Sequence, residues 1–251
     1  MASEPILRLS GICLRKGGAI LLDDVSFDLA RGRFYGLLGP NGAGKSSLLK
    51  ILYRAETASA GTVRIDGRPV QTLGRRAYAA RVGALVQEKV SLSGLSLLEV
   101  VELGLLPLGL PARQSRARAE EVLLTIGLGH RAGEDAAHLS GGEQQRLFFA
   151  QLLALDPEVY LLDEPHNHLD LHFQVKLLDI VRRRRRTVLA SFHDIALAAR
   201  YCDEVLLLDR GRLVGQGEIG AVLNRRSLAE TYRVEGAFAQ GRLEIVGPVQ
   251  P

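Results

Sequence analysis

The chain has 251 residues, of which 47% are hydrophobic and 24% are charged, and its formal net charge is +4. This balance is typical of a folded protein with a sizeable core and excludes a disordered chain. The small basic excess is scattered along the sequence, so it gives little support to a nucleic-acid partner. Two distant cysteines, Cys13 and Cys202, indicate neither a disulfide framework nor a thiolate zinc site.

Membrane segments are not indicated by the sequence. No window approaches the roughly 18 to 20 uninterrupted apolar residues that cross a bilayer. The first residues, MASEPILRLSG, lack the basic and apolar regions of a signal peptide. We therefore expect a cytosolic protein that meets a membrane only through a partner.

Short apolar runs bounded by turn residues predict β-strands along the whole chain. The early runs are separated only by turns such as ARGR and DGRP, which favours an antiparallel sheet. The later runs alternate with helical periodicity, which favours a parallel sheet covered on both faces. The predicted strands are ILRLSGICL, VSFDL, FYGLLG, TVRID, VGALV, VYLLD, TVLASF and EVLLLD, and the tail after Gly236 is expected to add a strand pair.

The segment between Gln87 and Leu139 has a different character. Two helical stretches, LSLLEVVELGLL and RQSRARAEEVLLTIGL, are joined by PLGLP, whose prolines end the first helix. We predict a helical subdomain at about residues 88–150, inserted into a single α/β domain that spans residues 1–251.

One dense basic run occupies Arg182–Arg186. Such a run could contact a phosphate backbone. However, Val175, Leu178 and Val181 mark the face of a helix whose last turn holds these arginines, where cations suit the helix dipole. A solvated helix end is the favoured interpretation.

The stretch GPNGAGKS, at Gly39–Ser46, matches the phosphate-loop pattern G-x-x-x-x-G-K-[ST] between a predicted strand and a predicted helix. Glycines turn backbone N–H groups towards phosphates, Lys45 reaches the terminal phosphates and Ser46 offers a hydroxyl to Mg²⁺. We predict an ATP site formed by Gly39, Pro40, Asn41, Gly42, Ala43, Gly44, Lys45, Ser46 and Ser47.

A second strand, VYLLDE, ends in the carboxylates that a magnesium nucleotide site requires. Asp163 is best placed to hold Mg²⁺ through water. Glu164, one residue further on, is predicted to act as the general base for an attacking water.

A third stretch, LSGGEQQR at Leu139–Arg146, lies between these two, and together the three resemble the ATP-binding cassette (ABC) family of ATPases. The resemblance implies a P-loop NTPase core of α/β class with an antiparallel β-subdomain and an inserted helical subdomain. It also implies a head-to-tail homodimer, in which Ser140, Gly141, Gly142 and Glu143 face the ATP of the second cassette. A plain serine N-cap before a helix is compatible with the same residues.

The resemblance assigns three further residues. Gln87 matches the glutamine that senses magnesium, water and the membrane partner. Asp170 matches the D-loop aspartate, and His193 in SFHD matches the switch histidine that contacts the γ-phosphate.

His166, His168, Asp170 and His172 form H-x-H-x-D-x-H, which is close to the H-x-H-x-D-H run of zinc hydrolases. The spacing differs by one residue between Asp170 and His172, and His193 alone would have to supply the downstream ligands. We favour the cassette interpretation, in which the histidines lie at the dimer interface and His166 replaces a usual threonine or serine.

One departure from the family concerns adenine, which usually stacks on an aromatic side chain before the second strand. Arg15 or Lys16 stands at that position here. An arginine lying flat on the base and an exposed basic turn are both compatible with the sequence.

A lone cassette without membrane spans resembles the ATPase subunits of bacterial importers, which implies permease partners at the cytoplasmic face of the membrane and, indirectly, a substrate-binding protein. The run SLLEVVELGLLPLGL resembles the VxxGRxP segment of cassettes serving iron-siderophore, haem and cobalamin permeases, although Leu105 replaces the usual arginine. The tail LAETYRVEGAFAQGRLEIVGP resembles their C-terminal extension. We therefore predict iron-chelate or cobalamin uptake, without a nucleic-acid partner.

Two alternatives remain open from the sequence. One is a soluble ABC ATPase of translation or DNA repair, although such proteins usually carry two cassettes or a long coiled-coil insertion. The other is the cassette of a lipid-handling or efflux complex.

Overall fold

The computed structural model describes residues 4–86, 92–165, 169–239 and 241–249. The strands are β1 (Leu7–Lys16), β2 (Ala19–Leu29), β3 (Phe34–Leu38), β4 (Ala60–Ile65), β5 (Arg68–Pro69), β6 (Val82–Leu85), β7 (Val159–Leu162), β8 (Thr187–Ser191), β9 (Glu204–Asp209), β10 (Arg212–Gly217), β11 (Val234–Ala239) and β12 (Arg242–Pro248).

The helices are α1 (Lys45–Leu52), α2 (Arg75–Ala79), α3 (Leu97–Gly104), α4 (Ala112–Thr125), α5 (Gly141–Leu155), α6 (Leu171–Arg183), α7 (Ile195–Tyr201), α8 (Ile219–Val222) and α9 (Arg225–Ser227). Short 3₁₀ turns occupy Val70–Thr72, Leu106–Leu108, Gly129–Arg131 and Ala136–His138, and a π-helical turn follows α9 at Leu228–Tyr232.

Six strands form the central sheet in the order β10-β9-β3-β8-β7-β6. All neighbours are parallel except β10, which runs antiparallel to β9 at one edge. Parallel strands of one sheet require crossover connections. Helix α6 connects the neighbours β7 and β8, and α7 connects β8 to β9 on the far side of β3. The predicted parallel sheet is confirmed, and the α/β core has the predicted fold class.

The central sheet is buried on both faces because its strands alternate between two apolar clusters. In β3, Phe34 and Leu38 pack with the helices α3 to α7, whereas Tyr35 and Leu37 pack against α1 and the antiparallel strands. This two-sided burial explains the nearly continuous apolar runs of the sequence. It also holds the strand ends, and the loops that follow them, in fixed positions.

The antiparallel sheet predicted for the early strands is confirmed, with the order β2-β1-β4-β5. Its inner face joins the cluster that contains α1. The predicted strand pair in the tail is also present, as the antiparallel hairpin β11–β12.

Between β6 and β7 the described residues contain helices and turns but no strand, as the sequence predicted. Helix α3 begins at a capping box, in which the Ser96 hydroxyl accepts from the Glu99 N–H and the Glu99 carboxylate accepts from the Ser96 N–H. It ends before the turn that contains Pro107. The helices α3, α4 and α5 share one apolar cluster. The predicted boundary near residue 88 lies outside the described residues.

The basic run forms the end of α6, as predicted: Arg182 and Arg183 lie in its last turn, and Arg185 follows with a left-handed backbone, φ 52°. The described helices include none that is both long enough and apolar enough to span a bilayer.

Candidate nucleotide site

The phosphate loop follows β3 and leads into α1. Gly39, Gly42 and Gly44 have φ of 145°, 79° and 104°, a region that side-chain-bearing residues avoid. A Cβ added to Gly39 would lie 2.2 Å from the Leu208 carbonyl oxygen. Glycine is therefore required at this position both by the backbone conformation and by the close approach of β9.

Lys45 lies inside the loop and is only 6% exposed. Its ammonium group donates to the carbonyl oxygens of Gly39 (2.7 Å) and Pro40 (3.1 Å). Burial lowers the pKa of Lys45, and the nearby carboxylates of Glu164 and Asp163 oppose that shift. The loop thus holds a cation, surrounded by backbone oxygens, at the start of α1.

Asp163 and Glu164 follow β7, two strands away from β3 in the sheet, with β8 between them. The Ser46 hydroxyl lies 3.3 Å from Asp163 Oδ1, and the Ser191 hydroxyl donates to the same oxygen at 2.8 Å. Ser191 Oγ also accepts from the Glu164 N–H at 2.8 Å. Ser191, at the end of the intervening strand, therefore ties both carboxylate-bearing residues to the sheet. The sequence indicated a role for His193 in SFHD but none for Ser191, the first residue of that segment.

His193 follows β8, and its Nε2 hydrogen-bonds to Glu164 Oε1. Glu164 itself has a left-handed backbone, φ 49°. The carboxylate is 17% exposed and the imidazole 41% exposed, so the pair lies at the mouth of the site. An acid–base pair of this kind can accept and hold a proton.

The phosphate loop from Asn41 to Ser47 and Glu164 border a cleft of about 590 Å³. Besides the phosphate loop and Glu164, it is lined by Ile20, Leu21, Arg210 and Gly211, which the sequence did not indicate. Ile20 is an apolar side chain that is 53% exposed. Neither Arg15 nor Lys16 lines the cleft, and Lys16 instead pairs with Glu56. The side chains of Arg15 and Lys16 are both exposed at the end of β1, just before the turn formed by Gly17 and Gly18.

The signature residues form the start of α5. The Ser140 hydroxyl accepts from the Glu143 N–H, while the Ser140 N–H donates to the Glu143 carboxylate at 2.9 Å. Glu143 also pairs with Arg131. The hydrogen bonds from Ser140, together with Arg131, lower the pKa of Glu143 to about 2. The N-cap interpretation of this motif is structurally correct.

The signature residues Ser140–Glu143 do not line the cleft that the chain's own phosphate loop forms. Asp170 is also absent from that lining, and its carboxylate caps α6 by accepting from the Phe173 N–H at 2.9 Å. Gln87 lies outside the described residues. The structure therefore brings together Lys45, Ser46, Asp163, Glu164 and His193, while the signature and D-loop residues lie elsewhere on the chain.

The histidine cluster is only partly described, since His166 and His168 lie outside the described residues. His172 contacts the edge of the Phe173 ring. Within residues 4–86, 92–165, 169–239 and 241–249, no group of three or more histidine, cysteine or acidic side chains has metal-binding geometry.

A phosphate loop after an interior parallel strand, with carboxylates after a second strand at the same sheet edge, defines the class of P-loop nucleoside triphosphatases. Residues 22–167 match the family described as ABC transporter.

The chain is also similar to several import ATP-binding proteins. The chain is 36% identical to the hemin import ATP-binding protein HmuV of Rhodopseudomonas palustris, over 86% of this chain and 84% of that protein. It is 37% identical to the methionine import protein MetN of Caulobacter vibrioides (82% and 64% covered) and 35% identical to the cobalamin import protein BtuD of Halobacterium salinarum (90% and 58%).

Solved structures agree with the sequence relatives. The ATP-binding subunit of an ABC transporter superposes with a TM-score of 0.81 at 27% identity, covering 89% of this chain and 93% of that one. A dimeric ATP-binding cassette bound to ADP and Pi gives a TM-score of 0.76 at 26% identity, with 85% and 98% covered. The chain belongs to the ABC transporter family, and it is an ATP-binding ATPase subunit of that family.

Proposed function

We propose that this chain hydrolyses ATP at the cytoplasmic face of a membrane and thereby drives uptake of an iron chelate, such as a siderophore or haem, or of cobalamin. The main support for an ATPase site is the distance of 3.3 Å between Ser46 Oγ and Asp163 Oδ1. It joins the phosphate loop to the carboxylate pair, which is the arrangement that phosphoryl transfer from a magnesium nucleotide requires.

The phosphate loop, Gly39–Ser47, binds the ATP phosphates in this proposal. Its backbone N–H groups and the start of α1 supply positive potential, and Lys45 supplies a full charge. Lys45 leaves the carbonyl oxygens of Gly39 and Pro40 for a phosphate oxygen when the nucleotide binds. Ile20 contacts the base, because it is the exposed apolar side chain in the lining of the cleft.

Ser46 and Asp163 would hold Mg²⁺, Asp163 through water, and Gln87 would complete the set from outside the described residues. Their hydroxyl and carboxylate oxygens are the hard donors that Mg²⁺ prefers. The ion, when bound, neutralises charge on the phosphates.

Glu164 acts as the general base that accepts a proton from the attacking water. His193 holds the Glu164 carboxylate in position through its Nε2 and can reorient towards the γ-phosphate. The Ser191 hydroxyl accepts a hydrogen bond from the Glu164 N–H and so fixes the backbone of Glu164. These three residues therefore position one proton acceptor beside the phosphate loop.

Two copies of the chain form a head-to-tail homodimer in this proposal. Ser140, Gly141, Gly142 and Glu143 lie outside the chain's own cleft, so they are available to complete the ATP site of a second copy, as is Asp170. The helix start at Ser140 offers backbone N–H groups to an anion. The dimeric relative bound to ADP and Pi supports this arrangement.

The partners follow from the import relatives. Integral membrane permease subunits would bind the dimer, and a periplasmic or surface substrate-binding protein would deliver the substrate. The hemin and cobalamin import relatives support iron-chelate or cobalamin uptake, whereas the methionine import relative leaves amino acids as a competing substrate class. No nucleic acid takes part in this proposal.

The test is purification of the tagged chain from its own host after mild detergent extraction of membranes, with an untagged strain as control. A co-purifying polytopic permease supports transport. Recovery with ribosomes or DNA in the soluble fraction would overturn transport but leave the ATPase site intact.

The substrate is tested separately by deleting the gene and measuring growth with haem, a ferric siderophore or cobalamin as the limiting nutrient. Rescue by the wild-type gene but not by Glu164→Gln supports the assignment. Normal growth of the deletion strain on all three would reject these substrates.

A further inference from the structure

A second cavity lies at the edge of the central sheet opposite the phosphate loop. Its volume is about 1430 Å³, and its walls come from the starts of β3 and β9, the residues before β8 and the end of β10. Strand β3 runs from this cavity to the phosphate loop, a distance of about 16 Å for five residues. The cavity is therefore separate from the nucleotide cleft.

Arginines dominate the lining, which contains five of them and three carboxylate residues. Three of the five are neutralised by ion pairs: Arg33 with Glu204, Arg182 with Asp203 at 2.7 Å, and Arg186 with Asp156 at 2.8 Å. These pairs hold the three guanidinium groups in place at the walls.

The other two arginines, Arg183 and Arg185, have no hydrogen-bond or ion-pair partner for their side chains among the described residues. Both are exposed and both line this cavity, and Arg183 also borders a groove along α6. Two uncompensated cations at one cavity wall attract an anion, and a ligand with several negative charges can pair with both. Each planar guanidinium can also donate two parallel hydrogen bonds to one phosphate group.

The acidic part of the cavity lining disfavours a long polyanion as the ligand. Asp203 and Glu204 are paired with arginines, but Glu218 has no ion-pair partner among the described residues, and its carboxylate would repel an extended phosphate backbone. The site is concave, with one local concentration of positive charge.

We propose that this cavity binds a small anion that carries two or more phosphate groups, with Arg183 and Arg185 as its principal ligands. The inference does not depend on the transported substrate or on the residues assigned to hydrolysis.

The experiment uses isothermal titration calorimetry with inorganic tripolyphosphate at low ionic strength. Lys45→Ala is introduced into every protein to weaken binding at the phosphate loop. The test variant adds Arg183→Gln and Arg185→Asn, since asparagine tolerates the left-handed backbone at residue 185. The control adds Arg113→Gln and Arg118→Gln on α4, which remove the same charge outside the cavity and have no ion pairs among the described residues.

We expect one saturable site per chain, at least about a tenfold loss of affinity in the test variant, and little change in the control. Thermal melting confirms that both variants fold. The absence of saturable binding, or an equal loss in both double variants, would overturn the proposal. A single-stranded RNA that binds more tightly than tripolyphosphate and loses affinity only in the test variant would replace it with a nucleic-acid site.

Discussion

At the scale of single residues, the cleft depends on side chains that different strands carry to one edge of the sheet. Asp163 accepts from Ser191, which ends the neighbouring strand β8. Asp163 Oδ1 also lies 3.3 Å from the hydroxyl of Ser46, whose phosphate loop follows the next strand, β3. Glu164 is held through its backbone by the same serine. Hydrogen bonds therefore set the position of the Glu164 carboxylate. Its assignment as the general base can be tested by a substitution that preserves the fold.

Glu164→Gln removes the proton acceptor but keeps the size of the side chain. We expect the ATP turnover to fall by about 10² to 10⁴ while ATP remains bound, because general-base catalysis contributes about that factor. Phosphate release and equilibrium ATP binding are the two measurements. Lys45→Ala is the contrasting variant and should lose ATP affinity itself. Turnover at the wild-type rate in Glu164→Gln would disprove the assignment.

Ile20→Ala shortens the exposed apolar side chain that faces the cleft. We expect a weaker ATP affinity by about three- to tenfold, since the loss of two or three buried carbons costs on the order of 1 kcal/mol. The matched control is Val214→Ala, because Val214 is equally exposed, at 53%, but lies on β10 outside the cleft. Equal ATP affinity in the two variants would show that the base does not contact Ile20.

At the scale of elements, the start of α5 is stabilised by charge as well as by backbone geometry. Glu143 accepts from Ser140 and pairs with Arg131, so its carboxylate joins the helix start to the 3₁₀ turn at Gly129–Arg131. A negative charge in the first turn also complements the helix dipole. The signature motif is therefore held rigid before any partner approaches it.

This network predicts a pH dependence of stability. The folded-state pKa of Glu143, about 2, lies below its usual value of 4.5. Its stabilising contribution is therefore complete above about pH 4.5 and is lost as the pH falls towards about 2. Glu143→Gln should lower the melting temperature by a few degrees at neutral pH, and the difference from wild type should shrink below about pH 4.

The control for this measurement is Glu121→Gln on α4, because Glu121 is exposed and its carboxylate forms no salt bridge among the described residues. Its melting temperature should follow that of wild type throughout. A difference between Glu143→Gln and wild type that stays constant with pH would contradict the charge-based account.

At the scale of the whole molecule, the proposed dimer would give each chain two incomplete halves of an ATP site. The phosphate loop and carboxylates lie at the edge of the sheet, whereas the exposed start of α5 does not line that cleft. A head-to-tail pair would unite the halves. ATP would then act as a ligand of the interface, and its hydrolysis would weaken the contact.

Gly141→Glu tests this arrangement without damaging the monomer, since a Cβ at Gly141 meets no atom within 4 Å. In the Glu164→Gln background, ATP should convert the chain from monomer to dimer, and Gly141→Glu should prevent it because the new carboxylate faces a phosphate. Gly133→Glu is the control, as its added Cβ is equally unobstructed. Light scattering after size-exclusion chromatography measures the mass. An ATP-dependent dimer of Gly141→Glu would reject the proposed interface.

Much of the fold was predictable because it depends on local patterns. Two-sided burial makes the central strands continuously apolar, while turns and prolines mark the ends of elements such as the one before Pro107. The phosphate loop was recognisable since positive φ at Gly39, Gly42 and Gly44 can be satisfied cheaply only by glycine. The signature start of α5 was recognisable because a capping box involves residues only three positions apart.

Tertiary structure alone decided which residues meet. The strand order places β8 between β3 and β7, which brings Ser191 to Asp163. Arg210 reaches the cleft because β9 neighbours β3, whereas Ile20 reaches it from β2 of the antiparallel sheet. The same order gathers Arg33 and the arginines in and just after the last turn of α6 around one cavity. Spacing along the chain carries no information about such contacts, because they join residues far apart in sequence through the pairing of parallel strands. The chain's own pattern thus specified its elements and motifs, whereas sheet packing determined the shape and the charge of its sites.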